Sequence, residues 1–347
     1  MKIAMIADGL SYGTWDWRRL ETGLGGSEVM FCYFARELGK SNDVTCYTRN
    51  DSPGIGFNAN WRDLTEFGGA WDAVVSLRVP DRLTGVDAKV KAFWANDQRF
   101  PSLPPVVTRG DCNLIITISE HQTNNFKYMY PSIPSELYLQ SSAGVAWDEF
   151  AMEIPKDRTQ CLYLSTPERG LRNFLTLWPR IIAKAPNANL VVTSGFQLYG
   201  WSDQQSADAS EGIYEAIGRM PRVEYTGPLT RKTYNRTVRG SGLLLYPTAY
   251  EEQCCISALE AAAGRCAIVS TELAALKERV RSGFNGFLIK GKPGNQQYDD
   301  EFIDRAVQLL GNRAMQTEMG RAGRKLAKRH DYASLAAAWQ SRFEEML

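Results

Sequence analysis

The sequence predicts an α/β protein made of two consecutive doubly wound domains, and three observations carry that reading. Short apolar runs of strand length alternate with helix-period segments along most of the chain, the pattern of parallel sheets with helices on both faces. At 347 residues the chain can hold two packed cores, because single domains mostly run about 100 to 200 residues. The series of strands restarts after residues 146–155, a polar stretch of mixed charge in which Pro155 stops regular structure.

In the first half the predicted strands are 2–7, 43–48, 73–77, 91–95 and 114–119, with the clearer helices at 27–38 and 120–130. The second half has predicted strands at 160–165, 188–195, 223–227, 242–247, 266–270 and 287–289. Helices at 171–183, 211–219, 231–239, 256–263 and 273–279 separate them. The tail, 300–347, reads as helical throughout, and Leu335–Trp339 with Phe343 gives it an apolar stripe. Domains are therefore expected at 1–150 and 151–330, followed by a helix at 331–347. Doubly wound sheets bind ligands outside the carboxyl ends of their strands, and two such domains facing one another would make a cleft. Chemistry is expected on the loops that follow strands.

Composition narrows the class. Hydrophobic residues at 44%, charged residues at 23%, 29 Gly and 15 Pro exclude a disordered, collagen-like or disulfide-framework chain. The net charge of +1 provides no global field for nucleic acid or an anionic membrane. It hides an asymmetry: residues 1–150 carry 14 Lys/Arg against 18 Asp/Glu, net −4, and residues 151–347 carry 26 against 21, net +5. The second half thus favours an anionic ligand.

The seven cysteines are odd in number and lack a C-x-x-C pair, so they are expected to be reduced, in a cytoplasmic protein. His121 and His330 are the only histidines, and no Cys/His cluster offers a zinc site. No apolar stretch reaches about 18 residues, and the short apolar start at 1–7 runs at once into Asp8, unlike a signal peptide. The expectation is a soluble protein without a transmembrane segment, which leaves peripheral contact with a membrane open.

The most informative stretch is 246–264, YPTAYEEQCCISALEAAAG. A buried strand ends at Pro247, a polar loop follows, and a helix starts near Cys255, so that its N-terminal N–H groups face the ligand edge as an anion site. Glu252 and Glu260 are eight residues apart. Even with the whole interval helical they stand about 12 Å apart, beyond the roughly 5–9.5 Å of a glycosidase pair. They suit two hydroxyl-binding carboxylates at opposite ends of one extended ligand. Taken singly, Glu252 also reads as a helix N-terminal charge and Glu260 as part of an exposed face.

This Glu-x7-Glu stretch, with its variant EExxCISALE, resembles the retaining glycosyltransferases of family four, which have the GT-B fold. The resemblance implies that Glu252 contacts the donor sugar, that Cys254, Cys255 and Ile256 hold the diphosphate through their amides, and that Glu260 binds the ribose. Other segments are similar to the family over most of the chain. Ser165–Leu171 looks like its basic-Gly-Leu loop, with Arg169 as the phosphate-pairing cation. The family often has a second basic residue just before, where this chain has Ser165 and Thr166, which leaves Arg231 or Lys232 as auxiliary cations. Arg169 alone also reads as a solvated residue at a helix start.

Gly23–Glu28 fails as a dinucleotide fingerprint, since Glu28 replaces the third glycine. It fits the family's Gly-Gly-x-Glu loop, in which Gly25 and Gly26 let backbone approach a donor phosphate or the acceptor; a purely structural turn is the alternative. Phe93–Gln98 resembles a segment in which the family has a His-Asp pair, and here Asn96 holds the His position. Asparagine can hydrogen-bond a sugar hydroxyl but cannot relay a proton. Asp97 reads either as a catalytic carboxylate or as a strand-end cap. Gly195 and Leu229 match positions where the family packs its nucleotide. Tyr12, Trp15 and Trp17 in the first loop suit acceptor stacking, or else a loop folded on its own aromatics.

Together these imply an enzyme, a metal-independent, cofactor-free hexosyltransferase that moves a sugar with retention from a UDP- or GDP-sugar co-substrate to a carbohydrate-type hydroxyl acceptor, without stable nucleic-acid binding. Donor binding is assigned to residues 151–347 and acceptor binding to 1–150, with the C-terminal helix returning to the first domain. Competing readings are a nucleic-acid-modifying glucosyltransferase, disfavoured by the acidic first half; a nucleotide-sugar epimerase, disfavoured by the shortage of histidines; and a non-catalytic nucleotide- or carbohydrate-binding protein.

Overall fold

The first strand, β1 (Lys2–Ala7), is buried along nearly its whole length, as a strand covered on both faces must be. The structure, a computed structural model, describes residues 1–8 and 13–347. It divides into two units: Met1–Leu20, Leu24–Gly144 and Asp331–Leu347 form the first, and Glu21–Gly23 with Val145–His330 the second.

In the first unit β1 is followed by α1 (Gly26–Leu38), β2 (Asp43–Thr48), β3 (Gly54–Gly56), β4 (Ala59–Asp63), β5 (Trp71–Leu77), β6 (Ala88–Trp94), α2 (Leu103–Thr108), β7 (Leu114–Thr117), α3 (Glu120–Met129) and β8 (Tyr138–Gln140). The sheet order is β3-β4-β2-β1-β5-β6-β7-β8. All its pairings are parallel except the β3–β4 hairpin at the edge. Three of these strands, β3, β4 and β8, and helix α2 are additional to the sequence reading. They are short and lie toward the sheet margins or carry prolines, as in Leu103-Pro104-Pro105, so neither period emerges from so few residues.

The second unit contains β9 (Asp157–Tyr163), α4 (Phe174–Lys184), β10 (Asn189–Val192), α5 (Asp203–Ser210), α6 (Ile213–Gly218), β11 (Val223–Tyr225), α7 (Arg231–Gly240), β12 (Ser241–Tyr246), α8 (Ile256–Ala263), β13 (Ala267–Thr271), α9 (Leu276–Arg279), β14 (Gly286–Ile289), α10 (Gln296–Gly311) and α11 (Arg313–Ala327). Its six strands are all parallel in the order β11-β10-β9-β12-β13-β14.

The tail is helical but not continuous. Asn312 ends α10 and caps α11, accepting from the Met315 amide at 3.0 Å. A second break at Asp331 starts α12 (Tyr332–Met346). This last helix belongs to the first unit: Trp339 stacks on Phe34 with centroids 4.0 Å apart, meets Trp94 edge-on, and donates from Nε1 to Ser141 Oγ at 2.9 Å. Tyr332 stacks on Tyr33. All seven cysteines are free and buried. Among the described residues no helix is long and apolar enough to cross a membrane.

Candidate functional site

Parallel strands deliver the loops after β9, β10, β11 and β12 to one edge of the second sheet, and the expected donor residues other than Gly25 and Gly26 lie on these loops and on α8, which follows the β12 loop. Arg169 ends a short 3-10 turn, Pro167–Arg169. Its Nη1 donates to Glu252 Oε1 and Oε2 at 3.2 and 3.3 Å, and the guanidinium lies 4.3 Å from the centroid of the Tyr250 ring. Glu252 is buried, and the Tyr246 hydroxyl donates to its Oε1. Burial is the largest single influence on Arg169 and opposes its charge, but Glu252 together with Tyr246, Tyr199 and Tyr250 outweighs it and holds the guanidinium above its ordinary value. Burial first, and then Glu252, push the Tyr246 phenol far up, so it stays a donor.

Two features lock the β9 loop against the β12 loop. Gly170 has φ +120°, and a Cβ there would stand 2.4 Å from the Pro247 carbonyl oxygen. Asn173 Nδ2 donates to that same oxygen at 2.7 Å. Further along, Ser257 Oγ donates to the Leu164 carbonyl at 2.7 Å, which ties the first turn of α8 to the end of β9.

Helix α8 starts at Ile256 behind Cys255, which takes a left-handed conformation (φ +61°), and no side chain caps it. The preceding Cys254 is held by buried Arg279, whose Nε donates to the Cys254 carbonyl at 2.9 Å. Glu260, in the body of α8, is buried and doubly engaged: Arg231 Nη1 lies 2.6 Å from Oε1, and the Tyr234 hydroxyl donates to Oε2 at 2.7 Å. Arg231 also reaches Glu149 at 3.3 Å. The auxiliary phosphate cation expected from sequence is thus paired with two carboxylates.

Gly195 sits where β10 ends. A Cβ there would meet Gln197 Oε1 at 2.3 Å and Pro228 Cγ at 2.9 Å, so the β10 and β11 loops approach too closely for a side chain. Stacked Tyr214 and Tyr225, with centroids 4.6 Å apart, support this corner, and Tyr225 donates to the Ser194 carbonyl at 3.1 Å. Leu229 is half-buried, and its carbonyl would lie 3.5 Å from a Cβ on Gly23.

The first unit presents its own set at the carboxyl edge of its sheet. Gly25 is the N-cap of α1 with ordinary extended dihedrals, and Gly26 is its first residue. Asn96, just after β6, is buried, and among the described residues neither of its amide atoms has a hydrogen-bond partner. Asp97 is not a cap: its Oδ2 pairs with Arg78 at 2.6 Å, and its carbonyl accepts from Gln122 Nε2 at 3.0 Å. Trp15 is buried in edge-on contact with Phe31 of α1 and Trp61 of β4, and Trp17 packs on Trp61, so both side chains pin the loop to the body of the first unit. Tyr12 lies outside the described residues.

Tyr234, Tyr246, Tyr250, Arg279 and Arg78 escaped the sequence reading. Three carry a local signal: Tyr246 and Tyr250 bracket the strand end four residues apart, just before Glu252, and Tyr234 follows Arg231 by three on α7. Arg78 and Arg279 reach partners distant in sequence and carry none. Among the described residues no three His, Cys, Asp or Glu side chains gather as a metal-binding group.

The model of the family described as "Glycosyl transferases group 1" matches residues 160–312, the greater part of the second unit. No curated protein matches the chain in sequence. Among solved structures, sucrose-phosphate synthase from Thermosynechococcus elongatus has a TM-score of 0.76 at 12% identity, over 100% of this chain and 99% of that one. Alr3699/HepE of Anabaena, in complex with UDP and glucose, gives 0.69 at 11% identity over 99% and 100%. WaaG, a glycosyltransferase involved in lipopolysaccharide biosynthesis, gives 0.65 at 14% identity over 98% and 99%. The two Rossmann-like sheets have the GT-B class of fold, and the family match makes residues 160–312 a glycosyltransferase domain and the chain an enzyme.

Proposed function

We propose that this protein is a metal-independent, retaining hexosyltransferase that uses a nucleoside-diphosphate sugar, held by the second unit, and an acceptor hydroxyl held by the first. The observation that carries the reading is the Arg169–Glu252 pair, set on Tyr250 at the carboxyl edge of the segment that matches the family. An arginine fixed by a carboxylate and an aromatic face is preorganised to meet the negative charge that grows on a departing diphosphate. The uncapped start of α8 adds N–H groups of the same polarity. UDP and glucose are bound by the similar Anabaena protein, which makes a UDP-hexose the first donor to test.

In this reading the anomeric C–O bond to the diphosphate breaks and its electron pair leaves with the diphosphate, stabilised by Arg169 and amides near Cys254, Cys255 and Ile256. The acceptor oxygen bonds to the anomeric carbon on the same face, and its proton passes to the leaving phosphate oxygen, so no protein nucleophile enters. Glu252 orients the donor sugar and Glu260 the ribose. Gly195 and Leu229 line the base, Gly25 and Gly26 admit the donor phosphate or acceptor, and Asn96 and Asp97 meet the acceptor. Unpartnered, buried Asn96 supports this last role, since a buried amide without partners costs about 1–3 kcal/mol until a ligand satisfies it. The enzyme is read as cytoplasmic.

The test is release of nucleoside diphosphate from UDP- and GDP-hexoses by purified protein, with and without mixed glycan acceptors. Release that depends on Arg169 supports the reading; binding of the donor without release under any acceptor would instead make the chain a binding protein.

A further inference from the structure

The net positive charge of the second half gathers away from the donor edge. At the amino ends of β9, β12 and β13 a cavity of about 240 Å³ opens between the segment 150–158, the end of α7, the turn before β13 and one face of α11. The donor loops follow the carboxyl ends of the same strands, so β9, with seven residues at about 3.3 Å each, sets the two regions about 20 Å apart.

Cations dominate this cavity. Lys156 and Arg158 come from the start of β9, Arg239 from α7 and Arg265 from the turn before β13. Helix α11 adds Arg313, Arg321 and Arg324. Glu153 is the one acidic residue among the lining residues, and it pairs with Arg265.

The other cations that have protein partners are fixed by neutral groups. Arg324 donates to the carbonyls of Phe150 at 2.9 Å and Ala263 at 2.6 Å, and it lies over the Trp147 ring. Arg239 donates to the Met152 carbonyl at 3.0 Å, Arg158 to Gln316 Oε1 at 3.2 Å, and Lys156 to the Ser241 carbonyl. Carbonyl and amide oxygens hold such groups in place without cancelling their charge. Arg313 and Arg321, both exposed, have no ion pair among the described residues.

We infer that this cavity is a second anion site, separate from the donor edge, which takes a small ligand through a phosphate or diphosphate group. Several guanidiniums around one concavity suit bidentate contacts to phosphate oxygens, and the volume holds far more than one water. The like charges already act on one another: burial, and then Arg158 and Arg265, lower the Lys156 ammonium from its ordinary value, and burial followed by Arg313 lowers Arg158. A bound polyanion relieves that repulsion.

The experiment titrates inorganic pyrophosphate into full-length protein by calorimetry in an Arg169→Ala background, which removes the donor-edge cation. One pyrophosphate is expected to bind, and its Kd to rise at least tenfold when Arg313→Ala and Arg321→Ala are added. Both side chains are exposed and without ion pairs, so the added changes should leave the thermal midpoint unchanged or higher. Sedimentation with phosphatidylglycerol vesicles, against phosphatidylcholine vesicles, separates the ligand sources. Pyrophosphate-displaceable binding to the anionic vesicles assigns a lipid headgroup, and its absence alongside pyrophosphate binding assigns a soluble phosphate. No binding of pyrophosphate, or an affinity indifferent to Arg313 and Arg321, overturns the site.

Discussion

Arg169 and Glu252, 83 positions apart in sequence, share one charge-assisted contact in which the guanidinium meets both carboxylate oxygens at 3.2 and 3.3 Å. The carboxylate is buried and, among the described residues, its only other donor is the Tyr246 hydroxyl. Removing Arg169 therefore does two things: it deletes the cation proposed for the diphosphate and it strands a buried anion. Arg169→Ala is expected to cut turnover by at least about 100-fold, the range of losing one transition-state donor. It should also destabilise the fold by about 1–3 kcal/mol. Glu252→Gln keeps the volume and a hydrogen-bond acceptor, so it should lose turnover with a smaller loss of stability. A double-mutant cycle on urea unfolding checks the pairing; additive effects within about 0.3–0.5 kcal/mol would refute coupling.

Gly170 makes a sharper test of loop geometry. Its φ of +120° is a conformation that side chains rarely adopt, and a Cβ would sit 2.4 Å from the backbone oxygen of Pro247, which cannot swing aside. Gly170→Ala must then push the β9 and β12 loops apart, and Arg169 and Glu252 with them. We expect a loss of stability on the order of 1–3 kcal/mol, together with at least tenfold lower kcat. Urea titration and steady-state rates measure both; normal values for the two would show that this close approach is dispensable.

The contrast between these residues and their neighbours shows what was legible in the sequence. The alternation of buried runs and helix periods located the parallel core strands, and the segment from Tyr246 to Gly264 marked the donor edge because strand, loop and helix follow one another there. The β3–β4 hairpin and α2 gave no signal, since three to six residues define no period. Trp15 and Trp17 suit a ligand or their own loop equally well as residue types, and their packing on Phe31 of α1 and Trp61 of β4 was visible to neither reading. Arg231 looked available for phosphate because its partners, Glu149 and Glu260, lie 82 and 29 positions away. The same blindness to distant partners hid the basic cavity, whose cations come from four separate segments.

Trp339 anchors α12 to the first unit through Phe34, Trp94 and Ser141. It is fully buried, so Trp339→Ala should cost about 3–5 kcal/mol, as for other large-to-small changes of buried aromatics. Trp339→Phe keeps most of the ring contact but leaves the Ser141 hydroxyl without its donor, for a loss nearer 1 kcal/mol. Urea unfolding of the two variants tests the ranking, and equal losses would mean that the hydrogen bond, not the packing, holds the helix.

His330 ends the 3-10 turn that follows α11, and its carbonyl accepts from the Val145 amide at 2.7 Å. Burial, and then the nearby charges of Arg279 and Arg329, push its imidazole down from 6.5 to about 4. Because the folded pKa lies below the unfolded one, the unfolded chain binds more protons between these values. Stability from this group is complete above about pH 6.5 and is lost as pH falls toward 4. At 1.36 kcal/mol per pKa unit, lowering the pH from 7 to 5 removes about 2 kcal/mol through this residue alone. Carboxylates also titrate near the lower end, so the measurement is a difference: urea unfolding of wild type and His330→Gln at pH 7 and pH 5. Glutamine cannot take up the proton, and the variant should therefore lose about 2 kcal/mol less than wild type over that interval. Equal losses in the two proteins would mean that His330 is protonated as readily in the fold as outside it.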